Sequence, residues 1–290
     1  MKIVFWAPVH GQTRQSSNLL ALALYMALEQ QRRLLITQTQ FRMNDLEDAI
    51  VGRAGAKEIR ERFYQNMGID SLIRCIKRKM PQKDDVENCC VQVLSNAELM
   101  LLPGSQVGNY EVYYKTFCET IVPVFRETEK YFDAVLIDTN PGMNQINHQL
   151  LEEADLVVVN LSQNIGVLDL YFNNIPKELE RKKVFYMLGS YLADSCYNLE
   201  NLRLRYRRLK KNNSGVIPVN VGFMDAISGG RMQDYFETNL ECVRGDTNYI
   251  FMREVIRAVE RLSYLMDEIQ TTKVRSDEKQ GVNRSEWERG

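Results

Sequence analysis

The segment "YFDAVLIDTNPGMNQINHQLLEEADLVVVNLSQN", residues 131–164, holds two short apolar runs separated by a stretch long enough for a helix. "AVLID" (134–138) and "LVVVN" (156–160) are apolar at consecutive positions, without the alternation of a half-exposed strand. Each therefore reads as a strand buried on both faces. Strands of this kind, joined by a helix-length connection, point to a mostly parallel sheet covered on both sides.

The same pattern continues outward. "KIVFW" (2–6), "RLLIT" (33–37), "LMLLP" (99–103), "KVFYML" (183–188) and "GVIPVN" (215–220) read as further strands. Helical stretches lie between them, among them 16–31 and 110–132, the latter with a break expected near Pro123. Phe251, Val255, Val259, Leu262, Met266 and Ile269 recur at helical spacing and predict a last helix packed on the sheet. The fold class is thus α/β, doubly wound, in one domain over 1–270. Residues 271–290 carry few large apolar groups and read as a mobile polar tail.

Composition narrows the function classes. With 37 Lys plus Arg against 38 Asp plus Glu, the chain has no global attraction to nucleic acid or anionic lipid, so any such contact needs a local patch. The six cysteines form no CxxC pair and the chain has two histidines, which argues against zinc and for reduced, packed thiols. The first residues read as a strand and not as a signal peptide, and no apolar run has the length of a membrane span. A cytoplasmic location without membrane insertion is the expectation.

"APVHGQTRQSSN" (7–18) joins the first strand to the first helix. A strand, a tight loop and a helix N-terminus make an anion site, because free backbone N–H groups and the helix dipole converge there. Yet this loop has one glycine, Gly11, and no lysine.

Together with the loop, residues 131–164 resemble the ParA/MinD family of P-loop ATPases. Asp138, Thr139, Pro141 and Gly142 match the end of the family's Walker B strand and the switch after it. "LLPGS" (101–105) resembles an earlier family strand that ends in Pro-Gly. Residues 215–236 resemble its late Ile-Pro strand and the loop beside the nucleotide base, which brings in Pro218. These segments, in the family's order, span most of residues 1–265.

The family's Lys-Gly-Gly-x-Gly-Lys-Thr-Thr loop can be laid on this chain from Val9. That register puts Val9 at the signature lysine, His10 at the first glycine, Thr13 at the third, Arg14 at the main lysine and Gln15 at the Mg²⁺-binding hydroxyl. A β-branched Thr13 suits a glycine conformation badly, and a guanidinium does not replace an ammonium. Ser16 supplies the hydroxyl only if the register shifts. The family's Asp-x-Asp after its second strand becomes Thr37 and Thr39. Two catalytic regions are thus altered, and efficient hydrolysis is not expected.

The resemblance implies nucleotide contacts from Gly11, Thr13, Arg14, Gln15, Ser16, Asp138, Gly142 and Pro218, with Ser16 and Asp138 toward Mg²⁺. ATP and Mg²⁺ are the implied cofactors, and their binding is left open. The altered loop is most like the TadZ/CpaE subgroup of Flp-type (Tad) pilus assembly. It implies a homodimeric adaptor recruited to a pilus or secretion machine at the membrane. A slow Mg²⁺-dependent ATPase and a DNA-partitioning protein are the alternatives.

"LRLRYRRLKK" (202–211) carries Arg203, Arg205, Arg207, Arg208, Lys210 and Lys211. It reads either as a packed helix with a solvated basic face or as a patch for DNA or an acidic partner. His10 reads as a phosphate contact or a helix cap. Asp138 has its own structural alternative, a carboxylate that bonds neighbouring loop N–H groups.

Overall fold

β1 (Lys2–Trp6) is buried at every position and lies inside a sheet with four strands on one side of it and three on the other. The computed structural model describes residues 1–41, 45–50, 52 and 67–287. Within them the strand order is β3 (Val91–Gln92), β4 (Leu99–Leu102), β2 (Leu34–Gln38), β5 (Ala134–Asp138), β1, β6 (Leu156–Leu161), β7 (Lys183–Tyr191), β8 (Ser214–Pro218). All neighbours pair in parallel except the β3–β4 edge pair. The expected doubly wound α/β sheet is present.

Alternate β1 side chains feed two cores. Ile3 and Phe5 pack with α1 (Gln15–Gln30) and the last helix, Tyr249–Trp287. Val4 and Trp6 pack on the opposite face against residues of the helix Tyr110–Thr128 and of the helix Gln145–Glu153. α1 is apolar around most of its circumference, from Leu19 to Ala27, as a helix wedged against a sheet and a second helix must be. Leu22→Ala in that wedge would cost about 2–5 kcal/mol.

Several boundaries differ from the sequence expectation. The helix Tyr110–Thr128 runs through Pro123 without a break. Pro123 is exposed, while Phe117, Ile121, Val124 and Phe125 are buried on both sides of it and hold the two halves in line. β3 is an edge pair too short to leave a periodic signal. The last helix continues past Gln270, so the boundary expected there falls within one helix. The Thr271 and Thr272 hydroxyls bond the Asp267 and Glu268 carbonyls, and Lys273 pairs with Asp155 at 2.8 Å. Among the described residues no helix is long and apolar enough to cross a membrane.

Candidate functional site

Parallel pairing sets Phe5 beside Asp138, so the loop leaving β1 and the carboxylate ending β5 meet at the same edge of the sheet. The loop enters α1 through Arg14, whose φ of 56° is left-handed, the conformation glycine adopts without cost. Thr13 is not in that region, so the backbone strain that the sequence placed on Thr13 falls on Arg14. Among the described residues no side chain caps α1, and His10 is exposed and lines the cavity, which removes the helix-cap reading for it.

Asp138 is completely buried and fully satisfied by neutral donors. The Ser16 hydroxyl donates to its Oδ2 at 2.6 Å, and the Gln15 amide donates to its Oδ1 at 2.6 Å. The Gln40 amide donates to Oδ2 at 3.2 Å. The Gln15 amide is also within hydrogen-bond reach of the carbonyls of Phe5 and Thr139, at 3.0 and 2.7 Å. Among the described residues no cation balances the carboxylate. Burial pushes its pKa up to about 7 against the pull of the Ser16 and Gln15 bonds, and Asp45 adds to the rise.

Below the loop, the Asn18 amide donates to the Thr13 carbonyl and to Asn160 Oδ1, tying α1, the loop and β6 together. Asn160 in turn donates to the Val158 and Trp6 carbonyls. Gly189 completes this support. A Cβ there would lie 2.4 Å from the Thr13 carbonyl oxygen, so only glycine lets β7 approach the loop. A single glycine inside an apolar strand gives no sign of this in the sequence.

A cavity of about 380 Å³ opens over the loop. His10, Gly11, Thr13, Arg14, Gln15 and Ser16 line it on one side, Gln40, Asp45, Asp48 and Pro141 on another. Asp138 does not line it but lies beneath Gln15, Ser16 and Gln40. Pro218 lines a much smaller neighbouring cleft with Asn18 and Phe223. Gly142 faces away: its N–H bonds the Ala7 carbonyl, and its own carbonyl accepts from Trp6 and Asn147. Thr37 bonds the Leu102 carbonyl and Thr39 the Asp138 carbonyl, so neither reaches the cavity.

The oxygens on offer suit a hard divalent cation better than a bare phosphate chain. Ser16 Oγ with Asp45 and Asp48 supplies oxygen donors, and Arg14 is the cavity-lining arginine. Among the described residues no cluster of three or more His, Cys, Asp or Glu could hold a metal alone. The buried Gln15 Oε1 and Asn18 Oδ1 have no hydrogen-bond partner among the described residues. Among the described residues Ser16, Asp45 and Asp48 are thus the cavity-lining oxygen groups that a nucleotide-borne Mg²⁺ would meet first, with Asp138 sealed behind Ser16.

The basic segment is not one helix. The helix Leu199–Arg205 stops at Tyr206, whose ring stacks on Phe172 and whose hydroxyl donates to Asp169. Arg205 pairs with Asp169 at 3.0 Å, and Arg203 donates to Ser214 Oγ at 2.9 Å. Arg207, Arg208, Lys210 and Lys211 follow on the exposed turn. The cysteines are free, and burial pushes the Cys89 thiol up to about 12 and Cys90 higher, in keeping with packing.

No protein-family model matches the chain, and no curated protein matches it in sequence. Solved structures do match in shape. A ParA family ATPase from Chlorobium tepidum superposes with a TM-score of 0.67 at 12% identity, covering 88% of this chain and 96% of that one. The septum site-determining protein MinD of Pyrococcus horikoshii, complexed with Mg-ADP, gives 0.67 at 15%, covering 93% and 99%. A putative plasmid partition protein from Borrelia burgdorferi bound to AMPPNP gives 0.56 at 14%, covering 91% and 98%. The chain has the α/β P-loop fold of the ParA and MinD ATPases. At these identities the likeness is one of fold.

Proposed function

We propose that this chain is a positioning subunit built on a ParA/MinD-type fold, with a degenerate nucleotide site that holds Mg·ATP without efficient turnover. The observation that carries this is Asp138, sealed beneath Gln15, Ser16 and Gln40 and satisfied by uncharged donors. A carboxylate so placed serves the loop's structure first, and its raised pKa weakens it as a metal partner.

The geometry favours a register one residue later than the one starting at Val9. Arg14 then stands at the third glycine, where its left-handed φ belongs, Gln15 at the main lysine and Ser16 at the Mg²⁺-binding hydroxyl. His10 takes the signature lysine's place. Without that lysine or the Asp-x-Asp carboxylates, the charge that develops on a transferring phosphoryl group lacks its usual stabilisers. The retained Ser16–Asp138 bond is what favours a slow Mg²⁺-dependent ATPase as the second reading.

Copies of such a protein pair through the faces that carry the loops, here without a bridging lysine. The resemblance to TadZ/CpaE proteins supports a place in a pilus or secretion assembly, to which the subunit is recruited in the cytoplasm. Thermal unfolding with and without Mg·ATP, alongside phosphate release, tests the reading. A rise of a few degrees with no phosphate release supports it; saturation at a hundred times Kd is worth about 2.7 kcal/mol. Phosphate release abolished by Asp138→Ala would replace it with the ATPase, and no rise at all would leave a scaffold that takes no nucleotide.

A further inference from the structure

Leu204 is 84% exposed at the centre of the outer face of the helix Leu199–Arg205. On one side Arg205 is held by Asp169, beside the half-exposed Leu170. On the other, two arginines converge on one serine. Arg203 donates to Ser214 Oγ at 2.9 Å, and Arg261, from the last helix, donates to the Ser214 carbonyl at 2.9 Å. Neither guanidinium has a carboxylate partner among the described residues, and Arg203 Nε is buried without a hydrogen bond. Arg207, Lys210 and Lys211 extend the surface, exposed and free of ion pairs among the described residues.

Some surface cations of this protein are matched by acids, as at Arg126–Glu153 and Lys183–Glu268, while those that follow Arg205 are not, among the described residues. Six basic residues within 203–211, beside one exposed apolar side chain, make a local concentration of positive charge in a chain of net charge −1. An exposed apolar side chain flanked in the helix by arginines, here Leu204 between Arg203 and Arg205, is the make-up of a protein-binding hot spot. DNA phosphates would leave Leu204 unused. Glu200, one helical turn before Leu204, and Asp169 interrupt the positive field that a duplex or a lipid surface needs.

We propose that this surface docks an acidic segment of a partner protein, with carboxylates on Arg203, Arg261, Arg207, Lys210 and Lys211 and an apolar side chain over Leu204. The proposal rests on the positioning role above for its purpose, and it names the chemistry of the partner that such a subunit would hold. The surface shares no residue with the cavity over the loop, so the two are tested separately.

The probe is a labelled peptide alternating glutamate and leucine, followed by fluorescence anisotropy against the full chain, with an all-glutamate peptide, short duplex DNA and phosphatidylserine vesicles as competitors. Binding should weaken with salt and fall at least about tenfold in Arg207→Glu/Lys210→Glu/Lys211→Glu. Leu204→Asn, which changes no charge, should weaken the leucine-bearing peptide and leave the all-glutamate peptide unchanged. Circular dichroism and an unchanged response to Mg·ATP would show that the variants remain folded. Absence of peptide binding, equal binding by the variants, or stronger competition by duplex DNA or vesicles than by unlabelled peptide would overturn the proposal. A lost Mg·ATP response with intact peptide binding would count against the nucleotide reading alone.

Discussion

The Ser16 hydroxyl donates to Asp138 Oδ2 at 2.6 Å across 122 residues of sequence, joining the start of α1 to the end of β5. This bond and that of Gln15 tie the loop to the sheet without a lysine.

Asp138 makes stability depend on pH in a defined direction. Its folded pKa is about 7 against an ordinary 3.8, because burial disfavours the charge. Between those values the folded chain binds more protons than the unfolded one, so stability falls as pH rises through that window and is level above it. Asp138→Asn removes the slope, and relative to wild type it should gain on the order of 2–4 kcal/mol between about pH 4 and about pH 8. Urea denaturation across that range checks this, and parallel curves for the two proteins would refute it.

The loop register is open to a paired test. Arg14→Gly should raise stability by up to about 1 kcal/mol, because relief of the left-handed strain slightly exceeds the added chain entropy. Arg14→Gly/Gln15→Lys should then increase the thermal shift given by Mg·ATP over wild type, while Thr13→Gly/Arg14→Lys should not. A larger shift from the second pair would restore the register that starts at Val9.

Gly189→Ala should cost about 2 kcal/mol, since the new methyl meets the Thr13 carbonyl and the Asn18 amide, and the loop or β7 must move. Loss of the Mg·ATP shift should accompany the drop in denaturation midpoint. Unchanged stability would mean that β7 has more room than the structure gives it.

Pro123→Ala should stabilise by about 1–2 kcal/mol, because the exposed proline contributes no packing and removes a helix hydrogen bond. Thermal denaturation measures it. A loss of stability would show that the proline ring is packed.

Where the chain is apolar over consecutive residues, its sheet was readable. Residues 134–138 and 156–160 announce β5 and β6, and Asp138 stands out at a strand end. The exceptions share a cause, in that each depends on partners remote in sequence. Pro123 sits inside a helix because buried residues on both sides outweigh it. The basic run ends its helix at Arg205 because Tyr206 turns inward onto Phe172 and Asp169. Gln40 and Gly189 belong to the site only through the third dimension. The proposed placing of Ser16, and not Gln15, at the Mg²⁺-binding hydroxyl depends on Arg14 adopting a glycine-like φ, which no arginine advertises.

The chain of amides from Asn160 through Asn18 to the Thr13 carbonyl has a consequence for signalling. A nucleotide acts as a messenger only when its arrival changes the shape or freedom of the residues it touches. Here Asn18, Gln15 and Ser16 already hold the loop in place, leaving an incoming ligand little disorder to remove. Information in such a molecule would have to enter elsewhere, through whatever protein grips its surface, and the loop before α1 would only listen.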